Sequence, residues 1–303
     1  MPIRRQFLQQ SAALGFATLS PFASGVSEPI TRRIATTKNQ LPALGMGTWL
    51  TFDVGDNKHA LGKRIEVLEK FFAMGGQLID SSPMYGTSQV ALGKCLATFT
   101  KNKPKLFSAS KIWTPGRLFG ERQMKNSADL WRIPQFDLMQ VHNLLDWETH
   151  LETLKQWRAD GRVRYIGITT SHGRRHDKVE SIMRSQPIDF VQLTYNIVDR
   201  EAEQRLLPLA LERGISVIVN RPLRGSLLFD RVRDRPLPGW AGDFGCENWA
   251  QFFLKFIISH RAVTCAIPAT SRVDHMGENM GALYGPLPNP LQRKKMISYY
   301  EAL

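Results

Sequence analysis

Eight short, mainly apolar runs recur along the chain after residue 27: LGMGTW (44–49), LIDSS (78–82), KLFSASKI (105–112), DLMQVHN (137–143), YIGITT (165–170), FVQLTYN (190–196), SVIVNRP (216–222) and TCAIPA (264–269). Apolar residues fall on both parities of most runs, which suits strands covered on both faces, as in a parallel sheet. Between the runs, RIEVLEKFFAMGG, ETHLETLKQWRADG and EAEQRLLPLALERG carry apolar residues at helical spacing. Each ends at glycine, which adopts the left-handed C-cap conformation without strain. The run starts are spaced by roughly 25–35 residues, one strand–helix unit, except for a stretched interval before the last. Eight such units predict an α/β fold, a (β/α)8 barrel of TIM type. A doubly wound sheet is the competitor, but no GxGxxG follows the first run. IATTKNQLPAL (34–44) reads as an N-terminal β-hairpin closing the barrel bottom, and residues 289–303 as a C-terminal helical tail. The stretched connection, Leu223 to Glu247, reads as a lid or mobile segment, its arginines either meeting a ligand's phosphates or facing solvent.

Barrels of this kind carry their chemistry at the C-terminal strand ends. Those ends hold Trp49, Asp80, Lys111, His142, Thr169 and Thr170, Gln192, Asn220, and Ala269 and Thr270. A lysine near a barrel mouth needs a partner against desolvation, and Asp80 is placed to supply one. Tyr85 follows Asp80 by five residues in LIDSSPMYG. Beside Lys111 its phenolate is favoured, and its pKa is expected below the usual value of about 10. His142 is placed to hydrogen-bond the oxygen that Tyr85 protonates. Each residue alone has a plain structural explanation: Asp80 as a helix cap, Lys111 in a core ion pair, His142 as a satisfied strand-end histidine. Together they form an acid for a developing alkoxide, so the expected reaction is hydride addition to C=O. No side chain supplies hydride, which implies a nicotinamide cofactor.

LGMGTW, LIDSSPMYG, FSASKIW, DLMQVHN, GRVRYIGIT, VQLTYN and IPATSRVDHMGENMGAL stand in the order of motifs in one family, and over residues 34–285 the chain resembles aldo-keto reductases. The resemblance implies a catalytic tetrad of Asp80, Tyr85, Lys111 and His142, with Tyr85 as general acid. It implies that Gly47 and Thr48 meet the cofactor near the nicotinamide, that Gln192 bonds its carboxamide, and that Trp49, with Trp113, lines an apolar substrate pocket. Thr169 and Thr170 stand where the family commonly has Ser-Asn. Asn220 replaces a tyrosine that stacks under the ring, and Arg221, Pro222 and Leu223 continue that cofactor segment. Ala269 replaces a common lysine near the adenosine phosphate, leaving Thr270, Ser271, Arg272, Glu278 and Asn279 as contacts. Arg272 fits a 2′-phosphate through its planar fork, so NADPH is expected ahead of NADH. The implied substrate is a small aldehyde or ketone. The rival reading is a catalytically silent barrel that binds the nucleotide as a redox sensor or partner-binding module.

Composition narrows the field further. The net charge is +13. The basic residues are scattered without interleaved aromatics, which argues against a nucleic-acid surface. Three cysteines, with no CxxC or metal-ligand spacing, argue against a disulfide framework or a structural zinc site. A hydrolytic barrel would need paired carboxylates or metal ligands at the strand ends, where Asp80 stands alone.

Residues 1–27 read differently. Arg4-Arg5 precede Phe7-Leu8 and an uncharged, modestly apolar stretch from Ser11 to Ala23, too short to span a bilayer. The order of charge, apolar run and small residues is that of an export signal, and RRQFL resembles the twin-arginine type. The expectation is a signal peptide over 1–27, transient engagement of the twin-arginine translocon, a periplasmic mature barrel over 28–303, and no stable membrane anchor after cleavage; the alternative is a cytoplasmic protein whose two N-terminal arginines are not used as a signal.

Overall fold

The computed structural model describes residues 28–303 except residue 36 and residues 101–103; the signal reading for 1–27 lies outside the described residues. Strands β1 (Thr31–Arg33) and β2 (Gln40–Pro42) form an antiparallel hairpin. Eight parallel strands follow in sequence order: β3 (Met46–Gly47), β4 (Leu78–Asp80), β5 (Phe107–Ile112), β6 (Phe136–Val141), β7 (Val163–Thr169), β8 (Phe190–Thr194), β9 (Ser216–Asn220) and β10 (Val263–Ala266). A parallel bridge from Leu44 to Ala266 joins the two ends of this sheet. There Gly45 N donates to Ala266 O at 2.8 Å and Ala266 N to Ala43 O at 2.9 Å. The sheet thereby closes into the expected barrel.

Helices α1 (Lys58–Ala73), α2 (Ser88–Leu96), α3 (Arg117–Trp131), α4 (Trp147–Ala159), α5 (His176–Ser185) and α6 (Leu206–Arg213) each follow one strand, from β3 to β8. The interval after β9 holds α7 (Leu227–Asp230) and α8 (Trp249–Ile258), while α9 (Val273–Gly281) and α10 (Pro290–Glu301) follow β10. Inside the barrel, Leu78, Phe107, Leu138, Tyr165, Phe190 and Ile218 pack with Ile34 and Leu41 of the hairpin. Ala35 N donates to Ser216 Oγ at 2.9 Å and Asn39 Nδ2 to the Tyr165 hydroxyl at 2.7 Å. The hairpin therefore plugs the end at which the strands begin, and the opposite end is left for chemistry.

Three details differ from the pattern reading. The hairpin pairs 31–33 with 40–42, so much of IATTKNQLPAL is its turn. EAEQRLLPLALERG is not one helix: a 3-10 turn at Glu201–Glu203 precedes α6, and Arg205 between them lies outside helical space at φ −135°. The connection 223–247 carries short helical turns, and two of its arginines, Arg231 and Arg235, meet the C-terminal tail, while Arg224 pairs with Asp199 and Arg233 with Asp230. Arg235 donates to Leu303 O at 3.2 Å, Arg233 to Asp230 at 2.8 Å, and Arg231 lies over the ring of Tyr300. The tail helix α10 docks on α8 through Arg293, which reaches Phe256 O, Ser259, Tyr195 and Glu203. The three cysteines are free and buried. Burial pushes the thiols of Cys95 and Cys246 up to about 11 and about 12 and raises that of Cys265 as well, so none is a ready thiolate.

Candidate active site

Parallel pairing in register brings three strand ends together. Asp80 closes β4 and Lys111 lies near the end of β5. His142 follows β6 directly, in a 3-10 turn that leaves the barrel. Lys111 Nζ donates to Asp80 Oδ2 at 2.5 Å and to Ser81 O at 3.0 Å, with both side chains sealed from solvent. The other carboxylate oxygen, Oδ1, accepts from Gln192 Nε2 at 2.9 Å and Gln140 Nε2 at 3.2 Å. A buried carboxylate is tolerable here because each oxygen has donors.

Tyr85 sits in the turn after β4, with Lys111 Nζ 5.0 Å from its ring centre. The segment is clamped by Asp53, whose Oδ1 accepts from Thr87 N at 2.8 Å and Thr87 Oγ1 at 2.7 Å. These bonds hold the Asp53 carboxyl below its usual range. Gly86 between them adopts φ +56°, and a Cβ there would stand 2.4 Å from the Asp53 carboxylate, so position 86 requires glycine. The expected depression of the Tyr85 pKa is corrected. Burial raises it, Asp80 adds to the rise, and the opposing charge of Lys111 does not offset them. Tyr85 therefore holds its proton at neutral pH.

His142 stacks edge-on to Tyr85 and Trp113, with ring centroids 5.8 and 5.2 Å away. Its Nδ1 lies 2.9 Å from Ser82 Oγ. Burial, and then the charge of Lys111, push its pKa down to about 2. The ring is neutral through the working range. Below the usual histidine value of about 6.5 the unfolded chain takes up a proton that the folded ring refuses. Its contribution to stability is thus full above that value and falls away towards pH 2.

A cavity of about 210 Å³ opens at this face. Fourteen of the residues singled out in the sequence line it: Gly47, Thr48, Trp49, Asp80, Tyr85, His142, Thr169, Thr170, Gln192, Asn220, Arg221, Pro222, Leu223 and Ala269. Lys111 stands behind Asp80. Trp113 flanks His142, its backbone held by both ends of the Gln123 amide at 2.6 and 3.0 Å. Thr270, Ser271, Arg272, Glu278 and Asn279 lie beyond the lining. Among them Arg272 has its planar fork on Asp274 and is exposed.

The amides and hydroxyls of the floor already serve one another. Asn220 Nδ2 donates to Thr170 O at 2.8 Å and its Oδ1 accepts from Thr194 Oγ1 at 2.6 Å. Gln192, expected to bond a carboxamide, has its Nε2 donor engaged by Asp80, leaving Oε1 as its acceptor. Thr169 Oγ1 accepts from Asn143 N at 3.0 Å and Thr170 Oγ1 donates to Arg174 O at 2.5 Å. The sequence reading missed Ser82 and Gln140, although both lie inside quoted runs. It also missed Met84, Asn143, His172, Gly225 and Ser226 of the lining. These belong to loops, where no periodicity marks a side chain's direction. Positive φ at Asn143 and His172 appears only in three dimensions.

The donor set suits a nicotinamide dinucleotide. Arg221 lines the cavity, and its guanidinium has no hydrogen-bond or ion-pair partner among the described residues. Gly225 beside it, at φ +64°, faces open space where a Cβ would meet nothing. An anion can approach this backbone closely.

The aldo/keto reductase family model matches residues 43–290. Aldo-keto reductase YhdN of Bacillus subtilis is 25% identical over 218 residues, covering 66% of this chain and 64% of that protein. The NADH-specific methylglyoxal reductase of Escherichia coli is 27% identical over 240 residues, 69% of this chain and 72% of that protein. An aldo-keto reductase from Klebsiella pneumoniae, solved with NADPH, superposes with a TM-score of 0.72 at 20% identity, covering 90% of this chain and 95% of the other.

Proposed function

The chain belongs to the aldo/keto reductase family, and on that premise we propose that it reduces an aldehyde or ketone to an alcohol at the cavity bounded by Tyr85, His142 and Trp49. Members of the family bind NADPH or NADH, as the relatives show. When bound, a reduced nicotinamide nucleotide would supply the hydride for the carbonyl carbon. Gly47, Thr48, Gln192 and Asn220 would hold its ring end, and Arg221, Gly225 and Ser226 its phosphates. The chain's own part is the oxygen. Tyr85 gives its hydroxyl proton to the developing alkoxide, His142 steadies the same oxygen as a neutral partner, and Lys111 stabilises the phenolate left behind. Trp49 and Met84, both partly exposed at the mouth, favour an apolar body on the substrate.

The observation that carries this reading is the sealed Asp80–Lys111 pair, with Lys111 Nζ 5.0 Å from the centre of the Tyr85 ring. Oxidation of NADPH or NADH on a panel of aldehydes tests it. Tight nucleotide binding without turnover of any of them would leave the silent barrel in its place.

NADPH remains the proposed physiological cofactor, although Arg272 must leave Asp274 to meet a 2′-phosphate. Exposed pairs of this kind contribute little, so the exchange is feasible. Arg272→Ala is expected to weaken NADPH about tenfold, one charged hydrogen bond, and to leave NADH unchanged. Arg221→Ala is expected to weaken both, because the pyrophosphate is common to them. Fluorescence titration reads both constants, and equal losses for Arg272→Ala would remove it from cofactor choice.

Export is proposed on the strength of Arg4-Arg5, Phe7-Leu8 and the uncharged stretch behind them. A twin-arginine route carries folded proteins, so the barrel would close on its nucleotide in the cytoplasm before leaving. The mature protein is expected in the periplasmic fraction, and replacing both Arg4 and Arg5 by Lys should hold the precursor inside. Undiminished export of the double variant would refute it.

A further inference from the structure

We propose that Ser82 is a positioning residue that fixes His142 in the tautomer bearing hydrogen on Nε2, so that the ring presents a donor to the substrate oxygen. The inference rests on the reductase reading for its use in catalysis, and on hydrogen-bond accounting for the tautomer.

Ser82 is fully buried, at 0% exposure. Its Oγ has two neighbours among the described residues: Met84 N, which donates to it at 3.2 Å, and His142 Nδ1 at 2.9 Å. The Met84 bond fixes Oγ as an acceptor there and leaves the hydroxyl hydrogen to be placed. If Nδ1 carried the imidazole hydrogen, it too would donate to Oγ. The serine hydrogen would then have no acceptor in a sealed position, an arrangement that folded proteins avoid. If the serine donates to Nδ1, then Ser82 Oγ, Met84 N and His142 Nδ1 are all satisfied. The imidazolium, which would donate from both nitrogens, is disfavoured by burial and by Lys111. The remaining hydrogen sits on Nε2. That atom has no protein partner among the described residues, while His142 lines the cavity. A carbonyl oxygen placed for protonation by Tyr85 meets it there.

The chemistry explains why the second serine of LIDSSPMYG carries a role distinct from its neighbour's. Ser81 Oγ accepts from Thr48 Oγ1 at 2.8 Å, and its backbone oxygen accepts from Lys111. Of the two serines, Ser82 is the one that reaches the histidine. Without its hydroxyl the ring would be free to place its hydrogen on Nδ1 and turn a lone pair toward the substrate, repelling the alkoxide.

The tautomer is read directly by long-range 1H–15N correlation of the His142 ring in the full chain at neutral pH. This needs no turnover, so it stands apart from the test of reductase activity. The wild type is expected to show the hydrogen on Nε2. Ser82→Ala is expected to show a mixed or Nδ1-protonated ring and a kcat about tenfold lower, one hydrogen bond's worth, with nucleotide affinity unchanged. Ser82→Thr, which keeps the hydroxyl, should restore both the ring state and kcat. A wild-type ring protonated on Nδ1 overturns the proposal even if the variants fail to fold. So does a folded Ser82→Ala protein with the Nε2 hydrogen in place and full kcat.

Discussion

Tyr85→Phe is expected to lose about 10²–10⁴-fold in the rate of aldehyde reduction, the usual contribution of a positioned general acid. The substitution removes one oxygen. The ring remains against His142, and the Asp80–Lys111 pair is untouched, so the fold and the binding of nucleotide should be unaltered. Loss confined to kcat and kcat/KM, with the nucleotide constant unchanged, marks an interaction made in the transition state. The raised pKa of Tyr85 sharpens the expectation. A hydroxyl that keeps its proton well above neutral pH gives a rate that holds level through the neutral range and declines only on the alkaline side. Turnover of a good aldehyde by Tyr85→Phe within a few-fold of wild type would eliminate Tyr85 as the acid.

Lys111→Met should cost both stability and rate. The ammonium is wholly sealed against Asp80. Burial by itself lowers the lysine pKa, but the charge of Asp80, and then Tyr85, more than offset it, and the net direction is upward. A folded pKa above the unfolded one stabilises the protein below the usual lysine value of about 10.5, and that contribution is lost as pH rises through the folded value. Removing the lysine leaves the Asp80 carboxylate, among the described residues, with only the side-chain amides of Gln140 and Gln192. Breaking a buried pair in this way costs about 3–5 kcal/mol. Denaturant melts at neutral pH should show it, and the deficit should shrink at strongly alkaline pH, where the wild type loses the same charge. Pairing the substitution with Asp80→Asn should recover much of the stability and none of the rate, because Tyr85 still lacks the cation that draws its proton. In Lys111→Met the alkaline limb of any residual activity should move up, since the group that lowers the Tyr85 pKa is gone. A single variant with wild-type stability would show that the pair is not the buried ion pair described.

Much of the barrel is visible in the pattern of the chain. A strand covered on both faces must be apolar on both parities, and that requirement marked all eight barrel strands within a few residues. The same regularity placed Asp80, Lys111 and His142 at adjacent strand ends: Asp80 pairs with Ala109 and Lys111 with Gln140, so each lies two residues, one pleat repeat, from the next. Elements held by side chains rather than periodicity were harder to read. The break before α6 is an example: apolar spacing continues through EAEQRLLPLALERG, while the backbone at Arg205 turns out of the helix. The destination of Arg231, Arg233 and Arg235 is another, because a charge in a long loop does not specify its partner.

The sequence by itself determined the strand–helix repeat, the barrel and the identity of the residues at its open end, because burial on a closed sheet dictates which positions must be apolar and where a polar one is affordable. Tertiary structure alone decided the electrical state of those residues. Proton affinity depends on how many donors and charges converge through space and how much water is excluded, none of which is encoded in spacing along the chain. That is why Tyr85, expected to be acidified by Lys111, instead keeps its proton in a buried setting. It is also why the partner of His142 proved to be Ser82, sixty residues away in sequence and 2.9 Å away in space.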